Sequence, residues 1–100
     1  MKPVTIHKDA IQELTKAVEY YDRSKPGLGD AFQLEIESAT RKISMNPSAF
    51  ASYGVRQFRK CFVKRFPFTI YFREAEDRIW IAAIAHQKRQ PGYWFQRQPE

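Results

Sequence analysis

A short segment rich in proline and glycine, Pro26-Gly27-Leu28-Gly29, constrains this chain most. It separates two stretches in which apolar residues recur at three- and four-residue spacing, the period of an amphipathic helix. These positions are Ile11, Leu14, Ala17, Val18 and Tyr21 before the segment, and Leu28, Phe32, Ile36, Ala39 and Ile43 in and after it. Because proline and paired glycines suit neither helix nor strand, the chain turns here. The sequence therefore predicts two helices in an antiparallel hairpin.

The ends of these helices are marked by short local signals. A β-branched run at residues 4–7 predicts an opening strand, and Asp9 behind it is a good N-cap residue for the first helix. We expect this helix to run to about Arg23. The second helix restarts near Asp30 and ends at the Asn-Pro pair at positions 46–47.

The second half of the chain changes to runs of Phe, Val, Ile, Tyr and Trp, which favour strands. Three strands are predicted, at about residues 55–66, 68–74 and 78–86, with a polar turn between the last two. Residues 87–100 form a tail too irregular for a helix or strand. The predicted fold class is α+β, ordered β-α-α-β-β-β, with the helical hairpin packed on a mainly antiparallel twisted sheet in a single domain.

The last predicted strand is apolar on both faces, as expected for a central strand. Simple alternation places two sets of side chains on opposite faces. They are Ile79, Ile81, Ala83 and Ala85 on one face, and Trp80, Ala82, Ile84 and His86 on the other. In the preceding strand, Phe68, Ile70 and Phe72 share a face opposite to that of Thr69, Tyr71 and Arg73.

The net charge of +6 lies entirely in the second half of the chain. Residues 1–54 carry seven basic and seven acidic side chains, whereas residues 55–100 carry ten basic and four acidic ones. This asymmetry indicates an anionic partner, either nucleic acid or an acidic protein segment. A solvated basic face that keeps the protein soluble is the alternative.

Several classes of protein are disfavoured by what the sequence lacks. Cys61 is the only cysteine, so no intrachain disulfide forms, and the chain suits a reducing compartment. Neither metal-ligand spacing nor a phosphate-binding glycine loop occurs, so no cofactor or metal is expected. No leader-like apolar region and no run of eighteen uncharged apolar residues is present, which predicts a cytoplasmic protein that does not enter membranes.

Several short strings occur in a characteristic order along the chain. They are Glu19-Tyr20-Tyr21, Pro26-Gly27-Leu28-Gly29, Asn46-Pro47 followed by Phe50, Val55-Arg56, the run from Arg65 through Phe66-Pro67-Phe68 to Arg73, and His86, Arg89, Pro91, Tyr93 and Trp94. With the predicted order of elements and the basic, aromatic tail, the chain resembles the RelE/ParE toxin superfamily of type II toxin-antitoxin systems. The resemblance is nearer to the ParE-like, or plasmid-stabilisation, branch.

This resemblance implies a growth-inhibiting toxin that is neutralised by a cognate antitoxin and contacts DNA only through that antitoxin. Members of the superfamily divide between inhibitors of DNA gyrase and ribosome-dependent mRNA endonucleases, and the fold alone does not decide between them. We expect a gyrase inhibitor that is not an enzyme. The alternatives are an endoribonuclease that acts on mRNA at the ribosome, and a toxin-like module that binds antitoxin but is inactive.

A nuclease would need a proton acceptor, cations near the scissile phosphate and an acid for the leaving oxygen. The candidates for these roles are Arg73, His86, Lys88, Arg89 and Tyr93. However, the position at which nuclease members carry a catalytic arginine falls at Phe68 or Thr69 here. This departure favours the gyrase inhibitor. For His86, a hydrogen bond that ties the tail to the sheet is the alternative to catalysis.

For a gyrase inhibitor, the resemblance places the contacts in the last strand and the tail. The target-binding candidates are His86, Lys88, Arg89, Tyr93, Trp94 and Arg97, and the candidates for binding antitoxin or another anion are Arg56, Arg59, Lys64 and Arg65. Tyr93 and Trp94 could instead cover an edge of the core. The strand arginines could be solvated charges that discourage edge pairing, and Arg73 could form a surface ion pair across the turn with Glu76 or Asp77.

Overall fold

A computed structural model describes residues 1–54 and 56–99. The elements are β1 (Val4–Ile6), α1 (Lys8–Ser24), α2 (Leu28–Met45), a 3-10 turn (Pro47–Ala49), β2 (Ala51–Ser52), β3 (Arg59–Phe62), β4 (Phe68–Glu74) and β5 (Ile79–His86). The strands form one sheet in the order β1-β5-β4-β3-β2. β1 pairs with β5 in parallel, and every other pair is antiparallel. The predicted α+β class, with a helical hairpin on a mainly antiparallel sheet, is confirmed.

The strand predicted at residues 55–66 is wrong in extent. β3 begins only at Arg59, because Arg56 and Gln57 have positive φ angles of 67° and 64°, which no regular strand accommodates. The two-residue strand β2, which pairs with Arg59 and Lys60, was not predicted. Val55 lies outside the described residues.

Both helices of the hairpin begin differently from the prediction. His7, not Asp9, caps α1, and its Nδ1 accepts a hydrogen bond of 3.0 Å from the Asp9 backbone N–H. α2 begins at Leu28 rather than near Asp30, because Gly27 provides the left-handed backbone (φ 88°) from which the helix starts. A Cβ on Gly29 would lie 2.5 Å from the carbonyl oxygen of Val18, so the helices approach closely here.

The helices cover one face of the sheet and enclose what we call the helix-side core. The predicted stripe on α2 is confirmed, since Phe32, Ile36, Ala39 and Ile43 are buried there. On α1 the prediction was wrong for Ile11, which is 48% exposed, whereas its neighbour Ala10 is fully buried. α1 therefore meets the sheet through a small side chain one position earlier than the pattern indicated.

β5 contains a register shift that changes which side chains face the helices. Tyr71 pairs with Ala83, but the next residue of β4, Phe72, pairs with Ile81, so Ala82 is an extra residue. Ala82 and Ala83 consequently both join the cluster on the opposite face, and Ile84 returns to the helix-side core. The predicted alternation is therefore wrong from Ala83 onward.

The face of the sheet away from the helices carries a second cluster, which we call the tail-side cluster. Its members are Phe58, Trp80, Ala82, Ala83 and Trp94, with Tyr53, Tyr71, Tyr93 and Phe95 packed against them. Residues 87–99, the C-terminal tail, bring Trp94 and its neighbours onto this face. The tail therefore forms a second hydrophobic core with this face of the sheet.

Candidate functional site

The C-terminal tail leaves β5 through a turn formed around His86. The backbone N–H of Lys88 donates to His86 Nδ1 at 3.0 Å, and that of Arg89 donates to the His86 carbonyl at 3.0 Å. Gly92, with φ at 84°, then redirects the chain, and a hydrogen bond of 3.0 Å from Phe95 N to its carbonyl closes the next turn. These turns place an irregular segment against the sheet.

Trp94 is the centre of the tail's packing. It is fully buried, stacks on Tyr71 with 4.5 Å between ring centroids, and meets Phe58 edge-on at 4.6 Å. The prediction of Trp94 as a target contact is therefore corrected: a side chain without exposed surface cannot touch a partner while the tail is docked. The alternative, that it covers the core, describes the structure.

Glu13 of α1 anchors this tail, and sequence reasoning missed it. Its side chain is only 15% exposed and accepts four hydrogen bonds. The donors are the Tyr93 hydroxyl, the Ile84 backbone N–H at 3.0 Å, and the Arg97 guanidinium through Nη1 at 3.2 Å and Nη2 at 3.0 Å. The sequence does contain a sign of its role. Glu13 lies three residues after Ala10 and four before Ala17, so its carboxylate is on the same face of α1 as these buried side chains.

The anchor also completes an uncovered edge of the sheet. β1 ends opposite Ile81, so beyond this point it no longer pairs with β5. There the Ile84 N–H donates to Glu13, and the Ala82 carbonyl accepts a hydrogen bond of 2.9 Å from Arg97 Nη1. Because buried backbone groups without partners are costly, these two side chains replace the missing strand.

The ionisation of Tyr93 and Arg97 reflects this environment. Burial, the hydrogen bond to Glu13 and the carboxylate's charge raise the pKa of Tyr93 far above its usual range. Burial alone would lower the pKa of Arg97, but the hydrogen bonds and charge of Glu13 raise it overall. Tyr93 therefore holds its proton and has its hydroxyl engaged, which makes it a poor general base.

Two cations of the tail are exposed to solvent, unlike Arg97. Lys88 and Arg89 lie at the surface just after β5. The Arg89 guanidinium sits 3.8 Å from the centroid of the Tyr93 ring, a close cation-π contact. Of the predicted target contacts, Lys88 and Arg89 are thus presented outward, whereas Arg97 is mostly buried by its ion pair with Glu13.

The predicted nuclease residues do not form one site. Arg73 pairs with Trp80 and His86 with Phe68, so they stand at opposite ends of the β4-β5 hairpin, separated by six residues of β5, or roughly 20 Å. They also occupy opposite faces. Arg73 lies over the rings of Phe58 and Trp80 at 5.1 and 5.2 Å, which belong to the tail-side cluster.

His86 lies on the other face, in contact with the helices. Its ring meets Phe68 edge-on at 5.2 Å and lines a groove with Lys16 and Tyr20 of α1. Phe68 and Thr69, one of which the resemblance aligns with the nuclease arginine, are themselves buried. The groove therefore joins His86 to Lys16 and to apolar and aromatic side chains, and none of the other predicted catalytic groups lines it.

The four predicted antitoxin-binding cations form two separate pairs. Arg56 donates to the Phe95 carbonyl at 3.0 Å, and Arg59 donates to the Phe50 carbonyl at 2.6 Å. Lys64 and Arg65 are exposed beyond the other end of β3, and Lys64 borders a groove between α2 and β3. The first pair therefore also supports local structure, whereas the second is presented to solvent.

Residues 1–54 and 56–99 lack two kinds of feature. No cluster of three or more His, Cys, Asp or Glu side chains that could hold a metal ion is present there. In that part of the chain, no helix combines the length and apolar character needed to cross a bilayer.

Comparison with solved structures shows the same fold elsewhere. A chain of the structure "Chromosomal ParDE TA system from P. aeruginosa" superposes with a TM-score of 0.76 at 19% sequence identity, covering 86% of this chain and 96% of that chain. At this level of identity the similarity establishes the shared fold.

Comparison of sequences identifies the family. Two relatives, each named Toxin ParE2, come from Mycobacterium tuberculosis strains H37Rv and CDC 1551 / Oshkosh. Each is 25% identical to this chain over an alignment of 87 residues, and the alignment covers 86% of this chain and 82% of the relative. A sequence model described as "ParE toxin of type II toxin-antitoxin system, parDE" matches residues 4–91, so Tyr93, Trp94 and Arg97 lie beyond the match. This chain belongs to the ParE toxin family of type II toxin-antitoxin systems.

Proposed function

We propose that this toxin inhibits DNA gyrase through its C-terminal tail, does not cleave RNA, and is neutralised in the cytoplasm by a cognate antitoxin. The observation that carries the proposal is the roughly 20 Å between Arg73 and His86 on opposite faces of the sheet. General acid-base catalysis requires groups within hydrogen-bonding reach of one substrate. A binding protein has no such requirement.

The chemistry of the remaining candidates supports a binding role. Lys88 and Arg89 are exposed side by side where β5 enters the tail, and Arg89 is braced by Tyr93. Arginine is common at interface hot spots, and a preorganised side chain loses less entropy when it binds. We expect the target to contact this part of the tail, with His86 at its border.

The antitoxin is proposed to be an acidic or amphipathic segment, complementary to the charge of +6 on this chain. Lys64 and Arg65 are the exposed cations of the predicted set, and the groove beside Lys64 offers the apolar side chains of Ala39 and Phe50. Arg56 and Arg59 extend the basic surface at the other end of β3.

The test combines two assays on the purified toxin. Inhibition of DNA supercoiling by gyrase, with mRNA left intact in cell-free translation followed by primer extension, supports the proposal. Cuts in ribosome-bound mRNA at defined codon positions, with normal supercoiling, would establish the endonuclease instead. If neither activity is found and the antitoxin still binds, the chain is an inactive toxin-like module.

The site is tested with Lys88→Ala/Arg89→Ala, and Arg23→Ala serves as a control that removes an exposed cation elsewhere. We expect the double variant to lose at least tenfold in inhibition, while Arg23→Ala retains the wild-type value. Equal inhibition by the double variant and the wild type would remove the tail from the proposed interface.

A further inference from the structure

We propose that Glu13 is a positioning residue that acts through Tyr93 to hold Arg89 in place for contact with the target. This inference rests on the proposed function, in that it assigns Arg89 to the target interface. Glu13 lies on α1, and the chain passes through α2 and the strands β2 to β5 before it reaches the tail. It therefore connects the first helix to the last residues of the chain.

The Glu13 carboxylate is held in one position. It is 15% exposed and holds four donors, from Tyr93, Ile84 and Arg97. Hydrogen bonds to a charged group are roughly twice as strong as those between neutral groups. The strand β5 and the tail thus meet at one side chain that cannot move without breaking several bonds.

The orientation of the Tyr93 ring depends on this carboxylate. The hydroxyl of Tyr93 donates to Glu13 Oε2, and the ring also lies 5.2 Å from the Arg97 guanidinium, which is itself bound to Glu13. A phenol held at its oxygen can neither swing outward nor leave the sheet. Glu13 therefore fixes the position of the ring face.

The Tyr93 ring in turn contacts an exposed cation. Arg89 is the exposed member of this group, and its guanidinium is centred 3.8 Å from the Tyr93 ring centroid. A long side chain at the surface otherwise samples many rotamers, and ordering it on binding costs conformational entropy. Stacking on a fixed ring removes much of that cost before the target arrives.

The test is a double-mutant cycle between Glu13→Gln and Arg89→Ala, measured both as inhibition of gyrase and as growth arrest of cells that produce the toxin. Glu13→Gln keeps the size of the side chain and removes its charge. We expect each single variant to weaken the activity about tenfold, a factor that corresponds to roughly 1.4 kcal/mol. If Glu13 acts through Arg89, the double variant is no weaker than Arg89→Ala alone.

Glu19→Gln is the matched control, because Glu19 lies on the same helix but is exposed. It should retain the wild-type activity. Tyr93→Phe, which keeps the ring but loses the hydroxyl, should reproduce the loss seen in Glu13→Gln. Independent losses that multiply in the double variant would overturn the inference, because Glu13 would then act without Arg89.

Hydrogen exchange separates this inference from the proposed function. The backbone amides of residues 88–97 should exchange faster in Glu13→Gln than in the wild type or Glu19→Gln, while the amides of α2 stay protected. Unchanged exchange in the tail overturns the positioning role. If the wild type arrests growth without inhibiting gyrase, the proposed target is wrong, and the cycle on growth arrest still decides the role of Glu13. A wild type without either activity overturns both.

Discussion

The two faces of the sheet are closed in different ways. On one face, α1 and α2 pack apolar side chains against the sheet and cover the helix-side core with thirty-five helical residues. The backbone hydrogen bonds of these residues are made within each helix. On the other face, the tail-side cluster is covered by an irregular segment held by aromatic stacking, by Glu13 and by a bond from Arg56 to the Phe95 carbonyl. The helices are therefore part of the stable fold, whereas the tail is held to the sheet by a small number of side-chain contacts.

This difference predicts two levels of stability in one small protein. Segments held by few contacts open locally at a lower free energy than the global unfolding of the core. The proposed target-binding side chains, Lys88 and Arg89, belong to the attached segment. The toxin can therefore lose its proposed binding surface while it keeps its fold.

The largest effect is expected for Phe32→Ala in the helix-side core. Phe32 is fully buried and lies about 5 Å from the rings of Tyr21, Phe66 and Phe68. Its loss should lower the free energy of unfolding by about 4 kcal/mol, because it leaves a cavity that helices and sheet cannot fill. Urea unfolding followed by the helical circular dichroism measures this loss. An unfolding free energy equal to that of the wild type would contradict the place of Phe32 in the helix-side core.

Trp94→Ala should have a smaller effect that is confined to one face. We expect a loss of about 2–3 kcal/mol, at the lower end of the range for large-to-small substitutions, because the tail can detach and admit water. Limited trypsin digestion should then cleave after Lys88 and Arg89 faster than in the wild type, while the helical circular dichroism is retained. Simultaneous loss of tail and helix would show that the two faces do not separate.

Trp94→Phe is the companion variant that tests what the indole contributes. Within residues 1–54 and 56–99, the buried Nε1 of Trp94 has no hydrogen-bond partner. Phenylalanine keeps the aromatic packing on Tyr71 and removes a donor that is costly to bury. We therefore expect a loss of less than about 1 kcal/mol and an intact tail. A cost equal to that of Trp94→Ala would indicate that the indole N–H is satisfied in solution.

The two faces also differ in how far the sequence predicted them. The stripe from Phe32 to Ile43 follows the helical period, and the turn at Gly27 depends on local backbone chemistry, so both could be predicted from neighbouring residues. The extra residue at Ala82 could not. A register shift depends on how β4 and β5 align, and a run of Ile and Ala carries no polar residue that would mark it.

The candidate site shows the same limit. Composition and resemblance directed attention to the tail, and Arg89 lies in the exposed position that a binding residue needs. Trp94 was misplaced because an aromatic residue in an irregular segment has no periodicity to reveal its buried face. Glu13 was missed because its partners, Tyr93 and Arg97, lie eighty and eighty-four residues away in the chain. Such contacts depend on topology that single-sequence patterns do not contain.

The two glycines with similar backbone angles offer a matched comparison between the faces. Gly27 (φ 88°) has open space where a Cβ would stand, whereas a Cβ on Gly92 (φ 84°) would lie 2.6 Å from the ring of Phe95. Gly27→Ala should therefore lower the free energy of unfolding by about 1 kcal/mol, because alanine is disfavoured in a left-handed backbone conformation. Gly92→Ala should cost about 2 kcal/mol, because Phe95 must also shift. Urea unfolding gives both values, and only Gly92→Ala should speed tryptic cleavage of the tail. Faster cleavage in Gly27→Ala would show that the turn between the helices also controls the tail.

The smallest effect is expected from alkaline pH, and it should reach the tail-side cluster first. The pKa of Tyr93 is raised in the folded state by burial and by Glu13, whereas an unfolded tyrosine ionises near pH 10. Its contribution to stability is therefore complete below about pH 10. It declines as the pH rises toward the higher folded pKa, because only the unfolded chain is then stabilised by ionisation.

The tryptophan fluorescence should be followed directly between about pH 9 and 11 to measure this effect. Tryptic digestion after a return to neutral pH is too slow to report on the alkaline state. Tyr93→Phe removes this group and should flatten the change. Part of the change should remain, since burial also raises the pKa of Tyr71 in the same cluster. An identical titration in Tyr93→Phe would contradict the idea that the tail is held through this hydroxyl.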